Sequence, residues 1–225
     1  MGFAGAHPTR ADFLVSIEGR SLPEGQSGVV DVFLESTNPG GDPLNFFQVA
    51  FHVGRQSGSG RLDFGTPELT GLVDDSTYVF HGLGSPFGSV ETGSQPDDTF
   101  HAGDGLPDMS NVTVGFGPSG RRLLARLALT PGSGILAPTA GSAFAIALAP
   151  GAGTGTLSDA TSFYVHDGTT DEDRPVSFTS SSGRISITTI PEPGSLALAV
   201  LGMSALLAGS VARRVRGGRD RCGLA

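Results

Sequence analysis

The chain has 225 residues, a formal net charge of −8 and 50 residues that are glycine or proline (35 and 15). That size supports one ordinary domain with a real core, and the Gly and Pro content stays below the level of a collagen or a disordered chain. With no lysine and only 14 basic residues, the chain lacks the clustered positive charge that phosphate binding needs, which excludes a nucleic-acid partner.

In chain order, "MGFAGAHPTRADF" opens without a basic region or an apolar run, so Met1 does not start a complete signal peptide. Ala4-Gly5-Ala6 fits a small-residue cleavage pattern, and residues 1–11 are expected to be the end of a signal peptide or a disordered start, with cleavage after Ala6 or Ala11. Period-two alternation then runs through the body. "VVDVFLE" puts Val30, Val32 and Leu34 on one face. "FFQVAFHV" sets Phe47, Val49, Phe51 and Val53 against Phe46, Gln48, Ala50 and His52. "LLARLALT" sets Leu123, Ala125, Leu127 and Leu129 against Leu124, Arg126, Ala128 and Thr130. "FAIAL" aligns Phe144, Ile146 and Leu148, and "RISI" aligns Ile185 and Ile187. Shorter strands are expected at 13–18, 61–64, 77–81, 112–116, 162–165 and 176–179. Clusters such as "STNPGGDP" and "RQSGSG" separate them as turns. The stretch 83–110 lacks alternation and reads as a loop excursion. Strands at this spacing without an amphipathic helix predict an antiparallel β-sandwich over residues 12–189.

Local catalytic signatures are missing. The sequence has no G-x-S-x-G and no H-E-x-x-H; "GLGSPFG" misses a dinucleotide fingerprint by one residue, and "GAGTGTL" is a loop by composition. His7, His52, His81, His101 and His166 have no ligand spacing, and His52, His81 and His166 are expected to face solvent. Two acidic clusters stand out: Asp97, Asp98, Asp104 and Asp108, and then Asp167, Asp171, Glu172 and Asp173. Close-set carboxylates beside Gly turns suit calcium, and the 167–173 loop, through Asp167, Asp171 and Asp173, is the candidate site. The alternative for both clusters is a solvated turn, because Asp bonds its own backbone there. No other cofactor is indicated. The single cysteine, Cys222, permits no intrachain disulfide.

Charge is divided along the chain. Residues 1–190 hold 9 arginines against 20 carboxylates; residues 191–225 hold 5 against 2. After Pro191-Glu192-Pro193 come nineteen uncharged residues, 194–212, and then Arg213, Arg214, Arg216, Arg219 and Arg221. As a helix the apolar stretch measures about 28 Å, close to the hydrocarbon thickness of a bilayer. It is expected to be a single transmembrane helix with the arginines on the cytoplasmic side. The prolines hold the segment before it extended.

This order of Pro-Glu-Pro, apolar span and basic cluster resembles the PEP-CTERM sorting signal. The resemblance implies an exported bacterial protein, processed around Pro191, Glu192 and Pro193 by an exosortase, a membrane-embedded cysteine protease or transpeptidase, in bacteria that make exopolysaccharide. It places the mature protein at the cell surface or in the extracellular matrix, after membrane anchoring through residues 194–212. In the body, "FLVSIEG", "GVVDVFLES" and "LNFFQVAFHV" early, with "RRLLARLALT" and "GSAFAIAL" late, resemble the cohesin-like sandwiches. That implies a nine-stranded jelly roll used for binding or as a spacer; cohesins bind protein modules called dockerins, and no binding residue carries over. The expected function is therefore non-catalytic, structural or binding, with exopolysaccharide or another surface protein as partner besides the exosortase. The alternatives are a secreted carbohydrate-active enzyme with the same tail, and a plain tail-anchored protein.

Overall fold

Alternating strands with one apolar face must find a second sheet to cover that face, and this sequence does so. The computed structural model describes residues 12–67, 69, 71–91, 99–149, 161–168 and 172–190. Among them are fourteen strands, all in one compact unit: β1 Asp12–Ile17, β2 Arg20–Pro23, β3 Gly28–Ser36, β4 Asp42–Leu44, β5 Phe46–Ser57, β6 Leu62–Phe64, β7 Phe87–Glu91, β8 Thr99–Gly105, β9 Val112–Val114, β10 Arg122–Pro131, β11 Ala143–Leu148, β12 Ser162–Asp167, β13 Glu172–Ser181 and β14 Gly183–Thr188.

One layer runs β13-β1-β3-β10-β6 and the other β7-β8-β5-β11-β14-β2. The long strand β5 takes β8 along one edge and shares its other edge between β12, at Phe46–Gln48, and β11, further along. Strand β13 belongs to both layers. Its first half pairs with β12, and from Ser177 onward it pairs with β1, closing one side of the sandwich. Most pairs are antiparallel, as expected, but β1–β13 and β14–β2 run parallel. A small separate ladder joins β4 to β9.

The core is built from phenylalanine. Phe13, Phe47, Phe51, Phe80, Phe100, Phe144 and Phe163 are buried together with Tyr78. The two layers meet through ring pairs such as Phe13–Phe163 and Phe64–Phe100, each with centroids 5.6 Å apart. A phenyl ring brings apolar area and no polar atom that must find a partner, which suits a chain without tryptophan.

Several expectations need correction. The 83–110 stretch is not a loop excursion: it contains the β7–β8 hairpin partners, whose alternation is hidden by glycine at the outward positions 103 and 105. Residues 77–81 form turns rather than a strand, with Tyr78 N–H bonded to the Asp75 carbonyl and one isolated bridge from Tyr78 to Leu123. Leu124 does not oppose Leu123. A bulge between Leu123 and Ala125 turns all three residues inward, as the extra residue of a bulge permits. Strands β2 and β4 were not foreseen, and the assignment exceeds nine strands. The apolar stretch 194–212, Pro191, Glu192, Pro193, the five tail arginines and residues 1–11 lie outside the described residues. Among the described residues no helix is long and apolar enough to cross a membrane.

Candidate functional site

The outer face of the β7-β8-β5-β12 region is assembled by strand register. Residues directly opposite one another share a face. Phe87, Gly103, Gln48 and Ser162 therefore form one row across four strands, and Gly105, Phe46 and Tyr164 form the next. Their neighbours in sequence, Phe47, Ala102 and Phe163, point inward and are buried.

Two glycines let aromatic rings lie over this face. A Cβ on Gly103 would stand 2.4 Å from Cζ of Phe87, and one on Gly105 would stand 2.8 Å from Cδ2 of Phe46. Neither ring could keep its place over a larger residue. Tyr164 packs beside Phe46, with ring centroids 5.9 Å apart and planes tilted by 44°. Phe87 remains 50% exposed, so a large part of its ring surface meets water. Beside it opens a groove of about 400 Å³ lined by Phe46, Phe87, Asn45, Leu106 and Met109. Met109, at 58% exposure, extends the apolar surface. None of the described side chains in the two rows is charged.

A buried polar lock lies beneath this face. Asp104, on the inward side of β8, is 1% exposed. One carboxylate oxygen accepts the Tyr78 hydroxyl at 2.6 Å, and the other accepts the backbone amides of Ser85 and Gly105, each at 2.7 Å. Gly84 allows this approach, because a Cβ there would lie 2.0 Å from the carboxylate. Burial, reinforced by the hydrogen bond to Asp104 and then by the Asp104 charge, holds the Tyr78 phenol well above its ordinary pKa. The lock pins the turn segment 78–85 against the sheet that carries the aromatic face. A second tie is Arg126, bonded to Asp31 at 3.1 Å and to Asp75 at 2.7 Å. The Thr77 hydroxyl and amide, with help from Arg126, hold the Asp75 carboxyl below its usual range.

The sequence-predicted residues are dispersed by comparison. Of the first acidic cluster, Asp104 is the buried lock and Asp108 is a turn residue bonded to the Ser110 hydroxyl and amide; Asp97 and Asp98 lie outside the described residues. Of the calcium candidates, Asp167 ends β12 and is half-buried, Asp171 lies outside the described residues, and Asp173 is placed only by its backbone pairing with His166. Among the described residues no group of three or more His, Cys, Asp or Glu could hold a metal ion. His81 is exposed and His166 half-exposed, near expectation; His52 bonds the Thr99 hydroxyl through Nδ1 at 3.0 Å. His101 is buried.

Asp104 was legible in principle. In "TFHAGDG", Phe100 and Ala102 fix the inward parity, and Asp104 shares it.

No family model matches the sequence, and no curated protein matches it. Solved structures do. The seventh ScaB type I cohesin of Pseudobacteroides cellulosolvens aligns over 80% of this chain and 95% of its own, with 10% identity and a TM-score of 0.50. A cohesin in a type I cohesin–dockerin complex of Clostridium thermocellum aligns over 79% and 94%, with 11% identity and a TM-score of 0.48. A non-cellulosomal cohesin of Archaeoglobus fulgidus aligns over 83% and 97%, with 11% identity and a TM-score of 0.44. The first of these likenesses, at so low an identity, is one of fold: the body is a cohesin-like β-sandwich.

Proposed function

We propose that this chain is an exported bacterial surface or extracellular-matrix protein. Its sandwich has a non-catalytic, structural or binding role, and its C-terminal tail sorts it to an exosortase. The observation that carries the reading is the order of Pro191-Glu192-Pro193, an uncharged span and five arginines, placed after a cohesin-like body. A span of that length with a basic stop holds a translocated body at the membrane, and the extended prolines present a cleavable segment at its surface. The exposed Phe87 ring beside the half-buried Phe46 and Tyr164 gives the body a face suited to binding.

Mass spectrometry of the mature protein from an exosortase-bearing host tests the sorting. Peptides C-terminal to the region around Pro193 are expected to be missing, and the body is expected outside the cytoplasmic membrane. Intact 194–225 peptides on the exported protein would overturn the reading.

The calcium role of Asp167, Asp171 and Asp173 remains part of this proposal. Millimolar calcium is expected to raise the melting temperature of the full chain, because a ligand bound only to the folded state stabilises it by mass action. An unchanged melt assigns the loop to solvated turns.

A further inference from the structure

The aromatic face suggests the chemistry of its ligand, and the argument deepens the binding role proposed above. The two rows cross four strands, about 14 Å at the usual strand spacing, and stand about 7 Å apart along β8. Phe46 and Tyr164 stand side by side in one row and Phe87 stands in the other, with Gly103 and Gly105 keeping the floor low beneath Phe87 and Phe46. Between and beside the rings stand Gln48 and Ser162, whose amide and hydroxyl are hydrogen-bonding groups of both kinds. The result is a set of ring surfaces on a shallow floor, edged by neutral polar groups and open along one side into the 400 Å³ groove.

Charge narrows the choice. Residues 1–190 carry 20 carboxylates against 9 arginines, so the field around the body repels anionic polymers and anionic lipid surfaces. The described side chains of the two rows are uncharged and present no cation to reverse that field. A neutral polyhydroxylated ribbon meets no such barrier. Its sugar rings offer apolar C–H faces to aromatic rings. We propose that the outer face around Phe46, Phe87 and Tyr164 binds a neutral, ribbon-like polysaccharide chain by ring stacking.

The test uses the full chain, purified in a detergent without a sugar headgroup. Affinity electrophoresis through hydroxyethylcellulose and pull-down on microcrystalline cellulose serve as neutral probes, and alginate serves as the anionic one. The wild type is expected to be retarded by hydroxyethylcellulose, held by cellulose and unaffected by alginate. Phe87→Ala and Tyr164→Ala are each expected to weaken retention about tenfold, the scale of losing one anchoring aromatic residue. Ile135→Ala, at a fully exposed residue on another loop, is expected to leave retention unchanged. Circular dichroism and a thermal melt of each variant separate lost binding from lost folding. Gly103→Ala gives an independent arm: its methyl displaces the Phe87 ring without removing it, and retention is expected to fall.

Three results overturn the proposal: no retention by either neutral probe, equal retention by alginate, or retention that survives loss of Phe87 and Tyr164 in folded protein. A purified protein partner whose binding buries these rings and abolishes any glycan retention also overturns it. Each leaves the tail-processing result untouched, so failure here is distinguishable from failure of the sorting reading.

Discussion

Phe47→Ala is expected to lower the unfolding free energy by about 3–5 kcal/mol, the range for removing a fully buried phenyl ring. Phe47 is 1% exposed and lies on the long strand that pairs with three others. Its ring stacks on Phe80 at 5.9 Å with planes 14° apart, and lies 6.4 Å from Phe163. The variant therefore opens a cavity and also loosens the turn segment that Phe80 anchors. The adjacent Phe46→Ala supplies the control. Phe46 lies one residue away, on the outer face and half-buried, so its loss is expected to cost about 1 kcal/mol. Urea unfolding of both variants measures the difference, with similar slopes expected if the unfolded state is unchanged. Equal losses at the two positions would show that the strand does not separate an inner from an outer face here.

The contrast between Phe46 and Phe47 also shows what was legible in the sequence. Where one face is buried and the other wet, alternation is written directly in residue type. That is why β3, β5, β11 and β14 were foreseen with their inward residues. Strands β7 and β8 escaped because β8 carries glycine at outward positions 103 and 105 under aromatic rings, while β7 turns Phe87 outward and Gly88 inward, so hydrophobicity does not alternate with solvent exposure. The reversal at Leu124 escaped because a bulge changes parity by one residue, and nothing in "LLARLALT" announces it. Strands β2 and β4 are four and three residues long, too short to carry a period. Asp104 reads as a turn aspartate because it stands between Gly103 and Gly105, although Phe100 and Ala102 set its direction. The aromatic face was the least legible feature. Phe46, Phe87 and Tyr164 are far apart in the chain and become one surface only through the register of four strands.

The second large effect concerns alkaline pH. Tyr78 is 1% exposed and its hydroxyl donates to the Asp104 carboxylate; burial first, then that hydrogen bond, then the Asp104 charge raise its folded pKa above the ordinary value near 10. The native state then keeps the phenolic proton at pH values where the unfolded chain has lost it. Stability from this group is fully present below about pH 10 and declines as pH rises through and beyond that point. The slope for one proton is about 1.4 kcal/mol per pH unit. Tyr78→Phe has no such proton to lose. At neutral pH it is expected to be less stable than wild type by about 1–2 kcal/mol, because Asp104 loses a donor inside the core. The gap between wild type and variant should hold constant from pH 7 to 9 and shrink above pH 10. The two stabilities should meet within roughly one pH unit beyond that, since a slope of about 1.4 kcal/mol per unit erases a deficit of that size. Subtracting the two urea series removes the titration of the groups they share. A gap that stayed constant through pH 11.5 would mean that the Tyr78 phenol ionises as readily in the folded chain as in the unfolded one, and that Asp104 and burial do not hold its proton.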